Sequence, residues 1–282
     1  EASLSWRDSH TVAGKALSYN IKVAVWDNVS KITRYTSKTG TLPTNYKVNY
    51  YEGMTLGEMW GYKCDGLFQS DEEAQTWANY SKFTNRSATW QAGDPRYLDL
   101  NGDGYVNNGN NTIYDHGDLV KIGNTTPRYS YSIQGGVRWN GIGISMMWQG
   151  VGKRDWYPAK ESGYFWGQYG RPYSMALPWQ NSDRWSPTNR DAYWPRLVGY
   201  SASDSGLILS QPNTRYMQDA SYIRLKNLTI DYNFPKELVN KIGLQALKIY
   251  VSGENLLTFS PLKKYAKNYD PEGIYAGDAD YG

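Results

Sequence analysis

RYSYSIQGGVRWNGIGISMMWQ, Arg128 to Gln149, is the stretch whose spacing decides the fold. Tyr129, Tyr131, Ile133, Val137 and Trp139 share one parity, while Arg128, Ser130, Ser132, Gln134 and Arg138 hold the other. A period of two is that of a β-strand, whose side chains point alternately to opposite faces. Asn140 and Gly141 then suit the two positive-φ positions of a type I′ turn. Ile142, Ile144, Met146 and Trp148 resume the apolar parity against Gly143, Ser145 and Gln149, so the unit reads as a β-hairpin. Alternation alone serves a soluble sandwich as well as a lipid-facing barrel, and both stay open at this point.

The dimensions of the hairpin fit a membrane. Tyr129 to Trp139 is roughly ten residues at ~3.3 Å each, which at a tilt of about 40° spans the ~25 Å apolar band of an outer-membrane barrel. Tyr129 and Trp148 lie at the end opposite the turn and Trp139 beside it, where two interfacial aromatic girdles would sit.

Composition narrows the classes. Aromatics make up 15% of the 282 residues, with 26 Tyr and 12 Trp against 5 Phe, while mean hydropathy is low at -0.70. Amphipathic rings combined with a polar average suit interfaces around a polar interior. A formal charge of +3 without a Lys/Arg run argues against a nucleic-acid partner. The single cysteine, Cys64, permits neither an intrachain disulfide nor a thiolate metal cluster. No apolar run reaches the ~20 residues of a membrane helix, so a closed barrel is the remaining way to span a bilayer. The chain opens at Glu1 directly into a strand-like pattern with no signal peptide, as expected of a piece of something longer.

Outward from the hairpin, Ala2, Leu4 and Trp6 alternate with serines and Arg7, and Leu17, Tyr19, Ile21, Val23 and Val25 with Ser18, Asn20, Lys22 and Ala24. Residues 27–51 read as a connection, Leu56 to Phe68 as one poorly alternating strand, and Asp71 to Ser81 as a surface helix capped by Ser70. Two long loops follow, 82–127 and 150–216, flanking the hairpin at the end away from its turn. In a bacterial barrel that end faces outward, so both are expected to be extracellular. From Tyr222 to Phe234 the apolar parity switches between Leu225 and Leu228, which predicts a bulge near Lys226 and Asn227. Pro235 opens a short helical link, and Leu247, Ile249 and Val251 alternate with Lys248, Tyr250 and Ser252. These strands are too few to close a barrel by themselves.

DLNGDGYV, Asp99 to Val106, carries the sharpest chemical pattern. Side-chain oxygens at Asp99, Asn101 and Asp103, a glycine for the sharp turn and the Tyr105 carbonyl are what a Ca²⁺ loop of the EF-hand type requires. Asn110 stands where the closing carboxylate belongs. Asp118, or else Asp115, closes the site if residues 107–114 form an insertion, and an Asx-turn cluster without metal is the other reading. Such a Ca²⁺ would be structural. The second loop gathers rings, among them Trp156, Tyr164, Trp166, Tyr169, Trp179, Trp185, Trp194 and Tyr200. They suit contact with a sugar, a peptide or a partner protein, and equally a small core of the loop's own. His10 and His116 form no zinc pattern, and no G-x-S-x-G element or P-loop occurs. A glycosidase needs only two carboxylates, of which the chain has many, but nothing marks a pair.

Several blocks together resemble a family. DPRYLDLNGDG (Asp94 to Gly104), DLVKIGNTTPRYSYSIQGGVRWNGIGISMMWQGVG (Asp118 to Gly152), DRWSP (Asp183 to Pro187), YWPRL (Tyr193 to Leu197), YIRLKNLTIDYNFP (Tyr222 to Pro235), LKIYVSGENLLTF (Leu247 to Phe259) and YDPEG (Tyr269 to Gly273) follow one another in order. EGMTLGEMWGYKCDGLFQSDEEA, Glu52 to Ala74, precedes them. The set is similar to the C-terminal part of SusC/RagA-type TonB-dependent outer-membrane transporters of Bacteroidetes, over essentially the whole chain. The resemblance implies an all-β fold in which residues 1–282 form part of a transmembrane antiparallel barrel of about 22 strands. It also implies a plug domain, TonB-driven import and a SusD-like surface lipoprotein over the substrate, an oligosaccharide or a peptide. Plug, TonB-contacting segment and final strand are not in this sequence, and the residues before Asp118 depart from the family's loop. Given lipid on the apolar parity, Arg128, Gln134, Arg138, Lys248 and Glu254 are expected to face the lumen. The expected function is then a non-enzymatic barrel segment of a bacterial outer-membrane importer. The rival is a secreted Ca²⁺-dependent β-sheet protein that binds or cleaves glycans.

Overall fold

The computed structural model describes residues 1–43, 49–78, 90–159, 162–171, 173–198, 208–209 and 211–274; Tyr200, residues 79–81 of the expected helix and 82–89 of the first loop lie outside the described residues. The strands run β1 (Ala2–Val12), β2 (Lys15–Trp26), β3 (Glu58–Tyr62), β4 (Cys64–Leu67), β5 (Pro95–Tyr97), β6 (Leu119–Asn124), β7 (Arg128–Trp139), β8 (Ile142–Lys153), β9 (Asp155–Trp156), β10 (Gln218–Asp219), β11 (Tyr222–Asn233) and β12 (Lys248–Phe259). Short helices are α1 (Asp71–Ala78), α2 (Gly163–Trp166), α3 (Pro178–Ser182) and α4 (Lys236–Val239). Among the described residues no helix is long and apolar enough to cross a membrane. The chain divides into two compact units: Glu1–Asn28, Pro127–Arg154 and Ala220–Pro261 form the first, and the remainder forms the second.

The first unit is a six-stranded antiparallel sheet in the order β1-β2-β7-β8-β11-β12. Asn140 and Gly141 adopt φ of 45° and 84°, the I′ geometry that the Asn-Gly pair predicts. A second two-residue turn, Ala13 and Gly14 at φ 50° and 71°, joins β1 to β2. Alanine at positive φ costs about 1 kcal/mol, which is why nothing in the sequence announces this turn. The bulge falls between Leu225 and Asn227, as the parity switch requires, and is seen from both neighbouring strands.

The register sorts side chains cleanly. One row across the sheet is Trp6, Ile21, Gly135, Met146, Leu228 and Gly253. The adjacent row, on the opposite face, is Ser5, Lys22, Gln134, Met147, Asn227 and Glu254. Because the period is two and the bulge at Leu225/Asn227 absorbs the register shift in β11, the apolar sets of six strands add up to one continuous greasy face. That face is not buried: Leu4 and Val251 are each 75% exposed, Trp6 60% and Phe259 58%. Asp8 and His10 interrupt it at the turn end of β1, where both reach Tyr19.

The second unit gives internal structure to the two long loops read from the sequence. β6 lies inside the first of them and pairs with β3, and β9 pairs with β10. Leu56 to Phe68 is not one strand but two, with β4 pairing separately with β5. Alternation fails to reveal β3 because four of its five residues are buried, Met59 alone being half-buried. The helix α1 starts as expected: the Glu73 N–H donates to Ser70 Oγ at 3.1 Å, and Gln69 N–H donates to Glu73 Oε2 at 2.8 Å. Two ring clusters supply the interior. Phe68, Trp77, Trp90 and Tyr97 form one, with Trp77 and Trp90 centroids 4.8 Å apart at 71°. Trp156, Phe165, Trp166, Trp194 and Tyr216 form the other. Edge-to-face pairs of this kind contribute about 0.5–1.5 kcal/mol each beyond area burial, enough to hold segments that have little regular hydrogen bonding.

Candidate functional site

The polar face of the large sheet brings together the five positions picked out by parity. Arg128, Gln134, Arg138, Lys248 and Glu254 all share it, opposite Lys153, Met147, Gly143, Asn233 and Asn227 in the neighbouring strands. Two of these residues organise ion pairs. Arg128 donates from Nε and Nη2 to the two oxygens of Asp27, 2.6 Å each, and this guanidinium holds the Asp27 carboxyl down at about 2. Arg138 Nη2 donates to both oxygens of Asp231 at 2.7 and 2.9 Å, with Lys248 Nζ 3.6 Å away. The Arg138 bridge crosses a whole intervening strand. Gly143 stands between the partners, and a Cβ there would lie 2.5 Å from both Arg138 Nη2 and Asp231 Oδ2. This glycine is required by close approach, not by its backbone conformation.

Of the eight rings named in the second loop, the seven that lie among the described residues separate by burial. Trp156, Trp166, Tyr169 and Trp194 are at most 1% exposed and pack as the unit's own core, so their faces are spent on one another. Tyr169 also donates from its hydroxyl to the Pro195 carbonyl at 2.6 Å, and burial pushes its pKa up to about 12. Ligand contact by these four is therefore corrected to packing. Tyr164 is exposed, while Trp179 and Trp185 are half-buried. Lys267 Nζ lies 5.6 Å from the Trp179 ring, and Trp185 sits so close over Gly93 that a Cβ there would lie 2.5 Å from its ring.

The DLNGDG turn is closed by its own side chains. Asp99 accepts from the N–H groups of Gly102 (2.7 Å) and Gly104 (2.8 Å), Asn101 from Asp103, and Asp103 from Tyr105. These are Asx-turns, with Gly102 and Gly104 at the positive φ such a tight path needs. Asp118 does not join the set. It is fully buried, with Oδ1 accepting from Leu100 (2.7 Å) and Asn101 (3.2 Å) N–H and Oδ2 from Asn107 N–H (2.8 Å). Asp115 instead accepts from Asn110 Nδ2 at 2.6 Å. Among the described residues no three His, Cys, Asp or Glu side chains converge as metal ligands. The closing role assigned to Asp118 is thus corrected to that of an acceptor for backbone amides.

Besides Asp231, two buried carboxylates of the second unit escaped sequence reasoning. Asp94 accepts from Arg196 Nε at 2.6 Å and Nη2 at 3.0 Å; burial pushes its carboxyl above the ordinary range, against the pull of Arg196. Glu58 accepts from Lys121 Nζ at 2.8 Å, from Thr55 N–H at 3.0 Å and from the Tyr51 hydroxyl. The Arg196 and Lys121 partners stand 102 and 63 residues away, so no local spacing could have revealed either pair.

No family model matches the chain. Among curated proteins it is 29% identical over 229 residues to TonB-dependent receptor P3 of Formosa agariphila, covering 80% of this chain and 20% of that protein. It is 27% identical over 187 residues to TonB-dependent receptor P26 of the same organism, covering 66% and 17%. The chain thus spans about a fifth of the length of the curated relatives it matches. Among solved structures it is similar to the RagAB peptide transporter, with a TM-score of 0.58 and 18% identity over 97% of this chain and 26% of that one. The "closed-closed" state of the RagAB peptide importer gives 0.59 at 16% identity, over 97% and 27%. These relatives are receptors and transporters, not enzymes, and the open antiparallel sheet has the architecture of a partial β-barrel. Ordered sequence blocks, curated relatives and fold therefore agree in one similarity, that of the chain to a segment of SusC/RagA-type TonB-dependent receptors.

Proposed function

We propose that this chain supplies C-terminal wall strands and extracellular segments to an outer-membrane importer of oligosaccharides or peptides. The observation that carries the reading is the two-faced sheet. Its apolar side is exposed across all six strands, and its opposite side holds ion pairs. An apolar face of this size in water is an aggregation liability, whereas against hydrocarbon it is the required surface. The polar side would line the lumen, with Arg128, Gln134, Arg138, Lys248 and Glu254 facing the bore or plug. The two long loops read from the sequence would stand outside the cell, where Tyr164, Trp179 and Trp185 are the rings left to meet substrate or a SusD-like lipoprotein. TonB would act through the plug-bearing part of the same receptor. The RagAB neighbours are named for peptides, which makes a peptide the first cargo to test.

Uptake by cells producing the full-length receptor and its neighbouring lipoprotein tests this reading. Fluorescent peptide or oligosaccharide should accumulate only while the proton-motive force is intact, and a protonophore should abolish it. Accumulation of neither class, or accumulation indifferent to the protonophore, would overturn it. The exposed apolar face speaks against the secreted glycan-binding or glycan-cleaving alternative, which needs that face buried.

Calcium belongs to the same reading as a structural ion. Asp99, Asn101, Asp103 and the Tyr105 carbonyl supply alternating oxygens of the right chemistry, without a carboxylate from Asp118 to complete the set. Four ligands of low total charge predict weak binding, with Kd on the order of 10⁻⁴–10⁻³ M. Calorimetric titration of Ca²⁺ into the full-length receptor should show that binding and its loss in Asp99→Ala, with Asp118→Asn retaining it. Absence of any Ca²⁺ heat would leave the Asx-turns as the whole account of the loop.

A further inference from the structure

The link from Pro235 to Leu247 carries apolar surface for which the sheet has no use. Val239 is its buried anchor, 2% exposed. Leu238, Ile242 and Leu244 stand out at 55%, 65% and 46% exposure. Leu238 and Ile242 are four apart in a stretch where α4 continues into a 3₁₀ turn, Asn240–Ile242, so they fall on a shared side. Three large aliphatic side chains exposed together on one short link are more than a connector in water needs.

Its location gives those side chains a surface to meet. Phe234 packs on Tyr232 with centroids 4.8 Å apart at 73°, and Tyr232 pairs in register with Ile142, which pairs with Trp139. Those rings end the apolar face on the side of the Asn140–Gly141 turn, and Asn233 N–H donates to the Gly141 carbonyl at 2.9 Å. The link therefore begins where the apolar band stops. Its helical part pairs amides within the link: Leu238 and Val239 donate to the Pro235 carbonyl, Gly243 to Asn240 and Leu244 to Val239. A turn with its amides paired can enter an interface without the cost of bare polar groups. Its exposed charges are Lys236 and Lys241 against Glu237, so the link is net positive.

We propose that this link is a phospholipid-binding foot: Leu238, Ile242 and Leu244 enter the acyl boundary of the leaflet at the tight-turn end, and Lys236 and Lys241 meet lipid phosphates. The inference rests on the membrane reading above. An amphipathic segment with lysines beside its apolar edge is the usual chemistry of such contacts, and each lysine near an anionic surface is worth roughly fivefold in affinity.

The test uses the full-length receptor without other reactive thiols, carrying Cys64→Ser and Ile242→Cys labelled with a small fluorophore. It is reconstituted in phosphatidylcholine vesicles with or without phosphatidylglycerol, each doped with brominated lipid. Brominated lipid should quench the label while aqueous iodide does not, and phosphatidylglycerol should raise the quenching. The pair Lys236→Glu and Lys241→Glu should cancel that rise. Quenching by iodide instead, or shielding from both quenchers by a protein surface, overturns the proposal. Lipid quenching indifferent to phosphatidylglycerol overturns the phosphate contact. A second label at Val251→Cys separates the two readings: lipid quenching at Val251 but not at Ile242 removes the foot alone, whereas its absence at both removes the barrel as well.

Discussion

Ile21→Arg is expected to destabilise the bilayer-embedded receptor by about 2–4 kcal/mol. Ile21 lies mid-strand in β2, paired with Trp6 and Gly135 on the apolar face, and is 47% exposed. At a half-exposed site on a soluble sheet an arginine has room to reach water, and the change should stay within about 0.5 kcal/mol. In hydrocarbon the guanidinium must snorkel or carry a water defect with it, so the same substitution becomes expensive. The polar face supplies the control, since Ser132→Arg places the same charge on the opposite side of β7 and should cost far less. Urea titrations of the full-length receptor in vesicles compare the two. Equal and small effects would mean that the apolar face does not meet lipid, and the importer reading would fall with it.

Asp118→Ala should be the most damaging change in the second unit, at about 3–5 kcal/mol of local stability. One carboxylate takes three backbone N–H groups from residues 100–107, and hydrogen bonds to a charged acceptor contribute about 1.5–3 kcal/mol each, while orphaned buried donors add a further penalty. The Asp118→Asn variant would keep a single acceptor oxygen and recover part of the loss. Hydrogen exchange at the Leu100, Asn101 and Asn107 amides reads the effect directly. Protection should collapse in Asp118→Ala and fall by less in Asp118→Asn, with the β7–β8 amides unchanged. If those three amides keep native protection in the alanine variant, Asp118 is not what holds the loop.

Much of the first unit was legible because its determinants are local and periodic. Alternation in β2, β7, β8 and β12 named both faces, Asn140–Gly141 named a turn, and the parity switch between Leu225 and Leu228 located the bulge within a residue. The five polar-face positions followed from the same count. Legibility failed wherever the partner is distant or the element is buried on both sides. Arg138 could be placed on its face from the sequence, but not its bridge to Asp231 93 residues away, nor the role of Gly143 beneath that bridge. Four of the seven rings chosen as contact residues went inside for a related reason. A tryptophan that stacks on a ligand and one that fills a core have the same chemistry, and only the neighbours tell them apart.

By itself, then, the order of residues determined which side of each ribbon is apolar and where the ribbons reverse, because a strand's geometry repeats every two residues and its turns need particular φ values. Tertiary structure alone decided that the apolar sides of six strands line up and stay uncovered, that the ring-rich connections fold into a core, and that Asp118 serves amides. Those outcomes depend on which distant segments meet, and burial is a property of the assembled neighbours rather than of any one stretch.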